Sequence, residues 1–520
     1  MTNSRSVFSY DFFKHPLFLC LLSASFLVLS FPQFDIWIFA WVALIPLMAA
    51  LDGKKILASF FLSYFTGVLF FAGTLFWFIH VTLLGMILLI LYFAVYFGLF
   101  GLGYYFFSKQ AVLSKIFVLP SLWVILELAR SRLLSGFGWV SMGHSQYKNL
   151  PLIQVADIAG MFVISFVVVM ANVLFKEVMT KKLSRAYIKK EILIPAVLVI
   201  FVLTSFLVYG SYRLNQPRTP AQFNIAVIQA NIAQEMKWNE EFWPAILKKH
   251  LDLTQEAAQQ KPDLIIWPET AFPGFVWESP ELFSSLREVV AKNKIPLLLG
   301  LVIQNDGAYY NSAILINKDG KIIKQHDKLH LVPFGEYVPL RDVFPFLADL
   351  APIGDFTPGM EYTLFPAMVE AKPKDRSIGD FSVLICFEDT VPEISAKFTQ
   401  AKTNLLINMT NDAWFKDTKA PFLHLQAAVF RTIENRKNLV RAANTGVSCF
   451  IDEFGKITNY VQNKNGKKTY VAGYATGDVA LNTTQTFYTK HPDLFTYFCF
   501  GGILMGIALK KLKISAWTKS

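Results

Sequence analysis

The segment FSVLICFEDTVP, residues 381–392, has the composition of a buried β-strand that ends at a cysteine. Apolar residues dominate up to Cys386, and Phe387, Glu388 and Asp389 follow directly. An almost continuous apolar run of this length is typical of a strand covered on both faces, as in α/β proteins. A cysteine in such a run ordinarily packs as a small hydrophobe. Its chemistry therefore depends on what the neighbouring elements bring to it.

Similar apolar runs alternate with helical patterns through residues 218–488. The predicted strands and hairpins, besides the one above, are FNIAVIQANI (223–232), DLIIWPETAF (263–272), IPLLLGLVIQ (295–304), SAILINKDGKIIKQHDK (312–328), TNLLINMTN (403–411) and NLVRAANTGVSCFIDEFGKI (438–457). The predicted helices are 243–260, 279–294 and 420–437, the second with Ser279 as its cap and Pro280 in its first turn. Alternating elements of this kind predict an α/β sandwich with buried strands.

Three of these runs end in side chains that can carry out chemistry. DLIIWPE ends at Glu269, KIIKQHDK ends at Lys328, and FSVLIC ends at Cys386. Sites in open α/β sheets form beyond the carboxyl ends of strands, so we expect the three side chains to meet in one cleft. A thiolate is a strong nucleophile, and a buried carboxylate can take the thiol proton as general base. An ammonium group can favour the thiolate and stabilise an oxyanion.

Each of these residues also has an ordinary structural alternative. Cys386 would be a core residue, Glu269 could cap the next turn, and Lys328 alone would be a solvated surface lysine. The joint pattern of all three, rather than any one of them, favours a catalytic site. For three further polar or reactive residues the structural interpretation is preferred: Trp414, His424 and Cys449.

The rest of the chain is far more apolar than an ordinary soluble protein. The 520 residues are 54% hydrophobic and 17% charged, against about 25% charged in typical soluble domains. Residues 56–107 contain no Asp, Glu, Lys or Arg, and roughly 20 apolar residues suffice to cross a bilayer. The sequence predicts about eight transmembrane helices, at 17–33, 36–51, 56–79, 82–107, 116–130, 158–175, 192–209 and 494–509.

Lysine and arginine are distributed unequally between the connecting segments. With the amino terminus inside, the inside segments hold 16 Lys and Arg, whereas the outside links near 80 and at 131–150 hold only Arg132 and Lys148. By the positive-inside rule, both termini are cytoplasmic and the large polar segment lies outside the cytoplasm. The net charge of +11 then reflects topology and gives no reason to expect nucleic-acid binding. The predicted domains are a seven-helix transmembrane domain at 1–217, a catalytic domain at 218–488, and a C-terminal helix with a basic tail at 489–520.

Several motifs resemble those of known families. The segments WPETAF, HDKLHLVPFGEYVP, LICFED and NDAWF resemble the nitrilase superfamily, whose sites use Glu, Lys and Cys in that chain order. Seven apolar spans before such a domain and one after it look like the apolipoprotein N-acyltransferase family of the bacterial inner membrane. KLHLVPFGEYVP, LWVILELARSRLLSGFGW and MKWNE are similar to segments of that family in particular. The resemblance spans the whole chain and implies a nitrilase-like αββα sandwich.

The resemblance also implies roles for individual residues. Glu269 matches the general base of the family, Lys328 its catalytic lysine and Cys386 its nucleophile. Glu336 matches a second, supporting glutamate that holds the lysine. Phe387 occupies an aromatic position often held by Tyr, and Glu388 and Trp238 match two further functional positions. Phenylalanine at the aromatic position lacks the hydroxyl, so a packing role is expected there.

The reaction implied by the resemblance has two steps that share Cys386. A glycerophospholipid, expected to be phosphatidylethanolamine, gives its sn-1 acyl chain to the thiol. The N-terminal amine of an S-diacylglyceryl-cysteine apolipoprotein then takes the chain, as the last step of lipoprotein maturation. The enzyme is expected to work as a monomer, without cofactor or metal, and with its catalytic domain in the periplasm. An apolar substrate entrance is expected in the 338–362 loop, lined by Phe344, Phe346, Leu347 and Leu350.

Two other classes of function remain open from the sequence. A membrane-anchored amidase of the nitrilase type would share the Glu–Lys–Cys set but use water as second nucleophile. One anchor would suffice for such an enzyme, so eight predicted spans count against it. A transporter with an accessory domain would need charges within the membrane, for which Glu127 and Arg130 are the candidates.

Overall fold

A computed structural model of the chain describes residues 15–180, 191–338, 341, 355–368 and 377–517. The chain forms two compact units. One comprises Met1–Leu214 with His491–Ser520, and the other comprises Asn215–Lys490. The first unit is helical, and the second contains all the described strands.

In the first unit, six of the described helices are long and apolar enough to cross a membrane. They include all five helices predicted between residues 56 and 214, as well as the C-terminal one. The α-helices of this unit are Pro16–Leu29, Leu44–Leu51, Ile56–Leu75, Leu83–Phe107, Val112–Arg132, Leu150–Ile153, Ala156–Ala159, Phe162–Thr180, Leu193–Leu214 and Leu494–Trp517. The spans predicted at 17–33 and 36–51 form shorter apolar helices, Pro16–Leu29 and Trp37–Leu51.

Close helix packing in this unit depends on small residues. At Gly101, in the helix Leu83–Phe107, an added Cβ would lie 2.2 Å from the carbonyl oxygen of Ser59 in the helix Ile56–Leu75. Without a side chain at Gly101 the two backbones can approach, as is common between helices in membranes.

Among the described residues of this unit, ion pairs join helix ends and loops in two sets. Lys115 Nζ lies 2.6 Å from Glu177, and Lys176 Nζ lies 2.8 Å from Asp52. Lys176 also lies 3.3 Å from Glu177. These residues belong to, or flank, three segments that the charge distribution assigns to the inside.

The second set contains the predicted outside links. Lys148 pairs with Asp35, and Arg132 lies 2.6 Å from Asp493, just before the last helix. Each set of ion pairs therefore connects segments that the count of lysine and arginine assigns to the same side of the membrane.

The second unit is built on two six-stranded sheets. Their orders are β12-β1-β2-β3-β4-β5 and β11-β10-β9-β8-β7-β6. The strands are β1 Phe223–Gln229, β2 Leu264–Ile266, β3 Leu297–Asn305, β4 Ala308–Ile316, β5 Ile322–Asp327, β6 Leu364–Met368, β7 Ser377–Ile385, β8 Leu405–Thr410, β9 Asn438–Ala443, β10 Cys449–Ile451, β11 Ile457–Tyr460 and β12 Gly473–Val479. In each sheet the central strands, β1 to β3 and β7 to β9, are parallel.

A shared apolar core packs the two sheets face to face. It joins Val227 and Ile266 of the first sheet to Val383 and Ile407 of the second, all fully buried. The α-helices are Trp243–Ala258, Pro280–Asn293, Pro392–Gln400, Ala420–Asn435 and Phe487–Lys490. Helices pack on the other face of each sheet, so the predicted αββα sandwich is confirmed.

The three predicted helices are confirmed to within two residues at their ends, and each predicted apolar run contains a strand or hairpin, although the run 263–272 contains only the short strand β2. The helix predicted at 279–294 begins at Pro280, but the Ser279 side chain forms no capping hydrogen bond, contrary to the prediction. The strands β6 and β12 and the helix Pro392–Gln400 were not predicted. β12, GYATGDV, is mostly half-exposed and rich in residues that are uncommon in strands.

Candidate active site

Glu269 lies in the turn that follows β2, and the residue is 6% exposed. Its Oε1 accepts a hydrogen bond from the Asn311 amide at 2.8 Å, and its Oε2 accepts one from the backbone N–H of Asn411 at 2.8 Å. Asn311 is near the start of β4, and Asn411 directly follows β8. The carboxylate is therefore held between the two sheets, at the ends of strands from both.

Lys328 directly follows β5 and is 1% exposed. Its ammonium donates to Glu336 at 2.8 Å and to Glu269 at 3.3 Å. Burial alone lowers the pKa of Lys328, but the charges of Glu336 and Glu269 outweigh it and hold the pKa above its ordinary value. Lys328 is therefore a fixed cation between two carboxylates.

Glu336 completes this cluster from the loop after Lys328. Its Oε1 also accepts from the Asn311 amide at 2.8 Å, and its Oε2 accepts from the backbone N–H of Val332 at 2.8 Å. One amide group, that of Asn311, thus contacts both carboxylates that flank the lysine.

Cys386 directly follows β7, and its backbone has a φ of 53°, in the left-handed region that a non-glycine residue rarely adopts. Its thiol is a candidate acceptor for the Thr410 hydroxyl at 3.3 Å. Among the described cysteines it is the one that is partly exposed, since Cys20, Cys449 and Cys499 are fully buried. The sharp turn at the strand end thus presents the sulfur at the edge of the sheet.

The thiol and the Glu269–Lys328–Glu336 cluster meet around one short segment. Thr410 contacts the sulfur, and the next residue, Asn411, holds the Glu269 carboxylate. Burial raises the pKa of the Cys386 thiol well above its usual range, and the Glu269 charge raises it further, whereas the Lys328 charge lowers it. The resting thiol is therefore protonated at neutral pH and needs a base to become a nucleophile.

Glu388 is fully buried and ties two loops together. One carboxylate oxygen accepts the backbone N–H groups of Leu329, at 2.6 Å, and His330, at 3.0 Å. The other accepts the backbone N–H of Ile385 at 2.6 Å. Burial raises the pKa of Glu388 to about 7, although the hydrogen bonds from these N–H groups lower it. Glu388 thus links the segment after Lys328 to the turn of Cys386.

The other sequence candidates lie in different surroundings. The Phe387 ring stacks on His330 with centroids 5.9 Å apart, which fits the expected packing role. Trp238 is 48% exposed, and its ring lies 6.3 Å from that of Phe275. The predicted entrance residues lie outside the described residues: Phe344, Phe346, Leu347 and Leu350.

Sequence reasoning missed several residues that complete the site. Asn311 and Thr410 are polar residues within strands and carry no motif signal. Lys237 precedes Trp238, and its ammonium donates to the Thr270 hydroxyl at 2.8 Å and to the Glu269 carbonyl at 3.3 Å. Burial lowers the pKa of Lys237 to about 8. The segments MKWNE and NDAWF pointed to this neighbourhood, without singling out those residues.

This fold and this set of side chains define a class of protein. A carbon–nitrogen hydrolase family model matches residues 224–488, and a model of the apolipoprotein N-acyltransferase N-terminal domain matches residues 23–174. The second unit is thus of the nitrilase-superfamily type.

Relatives that match almost the whole chain identify the family within this class. The chain is 35% identical over 515 residues to the apolipoprotein N-acyltransferase of Geobacter metallireducens, covering 94% of both chains. It is 30% identical over 528 residues to that of Chlorobaculum tepidum, covering 95% of this chain and 96% of the other. The chain belongs to the apolipoprotein N-acyltransferase family, so it is an acyltransferase of the nitrilase superfamily, as the motifs predicted.

Among solved structures, an amidase of Nesterenkonia AN1 from the nitrilase superfamily is similar to part of the chain. The identity is 17%, the TM-score is 0.39, and the match covers 54% of this chain and 98% of the amidase.

Proposed function

We propose that this enzyme moves an acyl chain from a glycerophospholipid, through a thioester on Cys386, to the N-terminal amine of an S-diacylglyceryl-cysteine apolipoprotein. The phospholipid is phosphatidylethanolamine, and the chain comes from its sn-1 position. This is the last step of bacterial lipoprotein maturation. The observation that carries the proposal is the buried Glu269–Lys328–Glu336 cluster around a protonated, partly exposed thiol.

In the first step Glu269 takes the proton of the Cys386 thiol as the sulfur attacks the ester carbonyl. The tetrahedral oxyanion that forms is stabilised by the fixed ammonium of Lys328. The C–O bond to the glycerol then breaks, and the leaving oxygen takes the proton from Glu269. The products are the thioester and a lysophospholipid.

In the second step the neutral amine of the apolipoprotein attacks the thioester carbonyl. Glu269 accepts a proton from the attacking nitrogen, and Lys328 again faces the oxyanion. The C–S bond breaks, the amide is formed, and the proton returns from Glu269 to the sulfur of Cys386. The enzyme is thereby restored, which makes the mechanism ping-pong.

The supporting residues act by holding these groups in place. Glu336 keeps Lys328 charged and oriented, and Glu388 fixes the loop after Lys328 against the turn of Cys386. Phe387 packs against His330. We assign Trp238 to substrate contact from its exposed ring, and we retain Phe344, Phe346, Leu347 and Leu350 as the proposed entrance.

We also propose the predicted arrangement in the membrane. The domains at 1–217, 218–488 and 489–520 are a transmembrane domain, a periplasmic catalytic domain and a C-terminal anchor of an inner-membrane monomer. The charge asymmetry and the two sets of ion-paired loops support it. A cysteine placed at the exposed Asn465 should react with a membrane-impermeant thiol reagent once the outer membrane is permeabilised. Reaction only after inner-membrane lysis would reverse the orientation.

The reaction is tested with the purified full chain and phosphatidylethanolamine labelled in its sn-1 chain. We expect hydroxylamine-sensitive label on the protein, which moves to an S-diacylglyceryl-cysteinyl peptide when that peptide is added. Release of the label as free fatty acid, without transfer, would instead establish the amidase-type use of water. No label on the protein would contradict the thioester.

A further inference from the structure

A second cluster of charged side chains lies beside the turn of Cys386. Its four members are at most 1% exposed: Asp389, Asp412, His424 and Arg441. Arg441 lies 2.8 Å from Asp389 and 3.3 Å from Asp412. His424 lies between the two acids, with Nε2 at 2.8 Å from Asp389 and Nδ1 at 3.1 Å from Asp412. Arg441 Nη2 faces the same Nδ1 at 2.7 Å.

The cluster contacts the backbone of Cys386 in two ways. His424 Nε2 lies 3.3 Å from the Cys386 carbonyl oxygen. The Asn408 amide donates to the same oxygen at 3.0 Å, and its own oxygen accepts from Arg441 Nη1 at 2.6 Å. The left-handed backbone of Cys386 is unfavourable for a residue with a Cβ, so these contacts hold it in place.

The cluster also reaches the sulfur, through Thr410. The Thr410 hydroxyl lies 3.3 Å from Cys386 Sγ and 3.4 Å from Asp412 Oδ1. A hydroxyl has one proton to donate, so it can serve one of these two acceptors at a time. A thiolate is a far better acceptor than a thiol or a thioester sulfur.

We propose that the Thr410 hydroxyl is a switchable donor for the nucleophile, which points to Asp412 while the sulfur is neutral and turns to the sulfur when it is ionised. His424, Asp389 and Arg441 are positioning residues for this arrangement. They hold the Cys386 turn and keep Asp412 paired when the hydroxyl turns away. This inference deepens the proposed function, on which the identity of the nucleophile rests.

The sequence analysis preferred a structural interpretation of His424, and under this proposal its structural role is to position the Cys386 turn. The charged groups that act on the sulfur are Lys237, Glu269, Lys328, Asp412 and Arg441. Of these, Asp412 alone shares the Thr410 hydroxyl with it. A Thr410 hydroxyl with a purely structural role would affect the stability of the second unit but not the ionisation of Cys386.

The test is Thr410→Val, which keeps the shape of the side chain and removes its hydroxyl. Cys386 in the purified full chain is alkylated with iodoacetamide between pH 6 and 10, and the modified peptide is quantified by mass spectrometry. We expect the midpoint of the pH profile to rise and the rate at pH 7.5 to fall about tenfold, from the loss of one hydrogen bond to a charged sulfur. Thr410→Ser, which restores the hydroxyl, should return to within about threefold of the wild-type rate, since it returns that bond.

The matched control is Thr432→Val, since Thr432 is equally buried but donates to the Val429 carbonyl within its own helix. A wild-type profile for Thr410→Val, or an equal shift for Thr432→Val, would overturn the proposal. A second comparison is His424→Gln, which keeps a donor near the Cys386 carbonyl, against His424→Leu, which does not. We expect faster alkylation in His424→Gln than in His424→Leu, and the reverse order would also overturn it.

This experiment separates the inference from the proposed function. Alkylation needs neither phospholipid nor apolipoprotein, so it reports on the sulfur alone. If the wild-type enzyme fails to transfer acyl chains but Thr410→Val still shifts the alkylation profile, the inference is retained and the acyl-transfer proposal is removed.

Discussion

Both units of the chain bury an acid and a base close together, but they use them differently. In the first unit the Arg130 guanidinium donates to two backbone carbonyls and one hydroxyl of residues 137–141. Glu127, one turn earlier, accepts from the Trp123 indole at 2.8 Å and from the backbone N–H of Met142 at 2.6 Å. Both side chains thus fix the loop that follows their own helix.

In the second unit the charged groups bind mainly one another. Lys328 contacts Glu269 and Glu336, and Asn311 bridges the two acids. The cluster lies beside a thiol whose pKa is raised by the Glu269 charge and lowered by the Lys328 charge. Burial of charge alone therefore does not indicate a functional site. The two sites differ in what the charged atoms contact: they bind a loop in the first unit, and they lie beside a reactive group in the second.

This comparison also bears on the alternative of a transporter. That interpretation rested on Glu127 and Arg130 as charges within the membrane. Their contacts with residues 137–142 give them a structural role in the part of the chain that the structure describes.

The largest expected effect is that of Cys386→Ala, which should abolish the acyl-enzyme. No other cysteine among the described residues is exposed, so no second thiol can take over. The measurement is hydroxylamine-sensitive label from phospholipid on the protein. Cys449→Ala, a matched change in a fully buried cysteine, should keep the label. Labelling of Cys386→Ala at the wild-type level would show that Cys386 is not the nucleophile, and the second unit would lose the feature that sets it apart from the first.

Glu269→Gln should change two rates in opposite directions. Acylation by phospholipid should fall about 100- to 10,000-fold, the usual contribution of a general base. Alkylation of Cys386 by iodoacetamide near pH 7.5 should instead become faster. The Glu269 charge raises the pKa of the thiol, so its removal lowers that pKa and increases the thiolate fraction. Two rates that fall together would mean that Glu269 only maintains the fold.

Lys328→Arg should reduce single-turnover acylation although the positive charge is kept. A guanidinium is a broad planar fork and does not place one donor where the compact ammonium does. Loss of one oxyanion donor typically costs about 100- to 1,000-fold in rate. Lys437→Arg is the control, since Lys437 is also buried but donates to the carbonyls of Asn482 and Thr484. Acylation by Lys328→Arg within threefold of wild type would exclude Lys328 from the site.

Arg130→Lys should have the smallest effect on chemistry. A single ammonium cannot reach the three acceptors that the guanidinium serves, so we expect a loss of roughly 1–3 kcal/mol in stability. Thermal unfolding in detergent measures it, and the alkylation rate of Cys386 should stay within twofold of wild type. Arg132→Lys, on the same helix in an exposed ion pair, should change neither value. A large fall in the alkylation rate of Cys386 in the Arg130→Lys variant would show that the buried charges of the first unit also affect the thiol, contrary to the comparison.

The sequence predicted the candidate site best where a polar or reactive residue follows a strand. Glu269, Lys328 and Cys386 were singled out in this way, and the structure places them after β2, β5 and β7. Asn311 and Thr410 could not be found in this way, because a polar residue inside a strand cannot be told from a solvent-facing residue until the opposite sheet is known.

Helix ends were less predictable. The span predicted at 17–33 ends at Leu29, ahead of Pro32, because proline lacks the N–H that a helix interior uses and its ring clashes with the preceding turn. β12 escaped notice because Gly473 and Gly477 weaken its strand pattern. It forms because β1 offers it a complete antiparallel edge, from Phe223 opposite Val479 to Gln229 opposite Gly473.

The pairing of β1 with β12 has a consequence for the synthesis of the chain. The ribosome completes β1 about 250 residues before β12 exists. Until then the edge of β1 lacks its partner, and an open strand edge is a template for aggregation. Synthesis must therefore reach residue 479 before the first sheet can close. A chain that stops between Cys386 and β12 would hold Glu269, Lys328 and Cys386 and still lack a finished sheet to carry them.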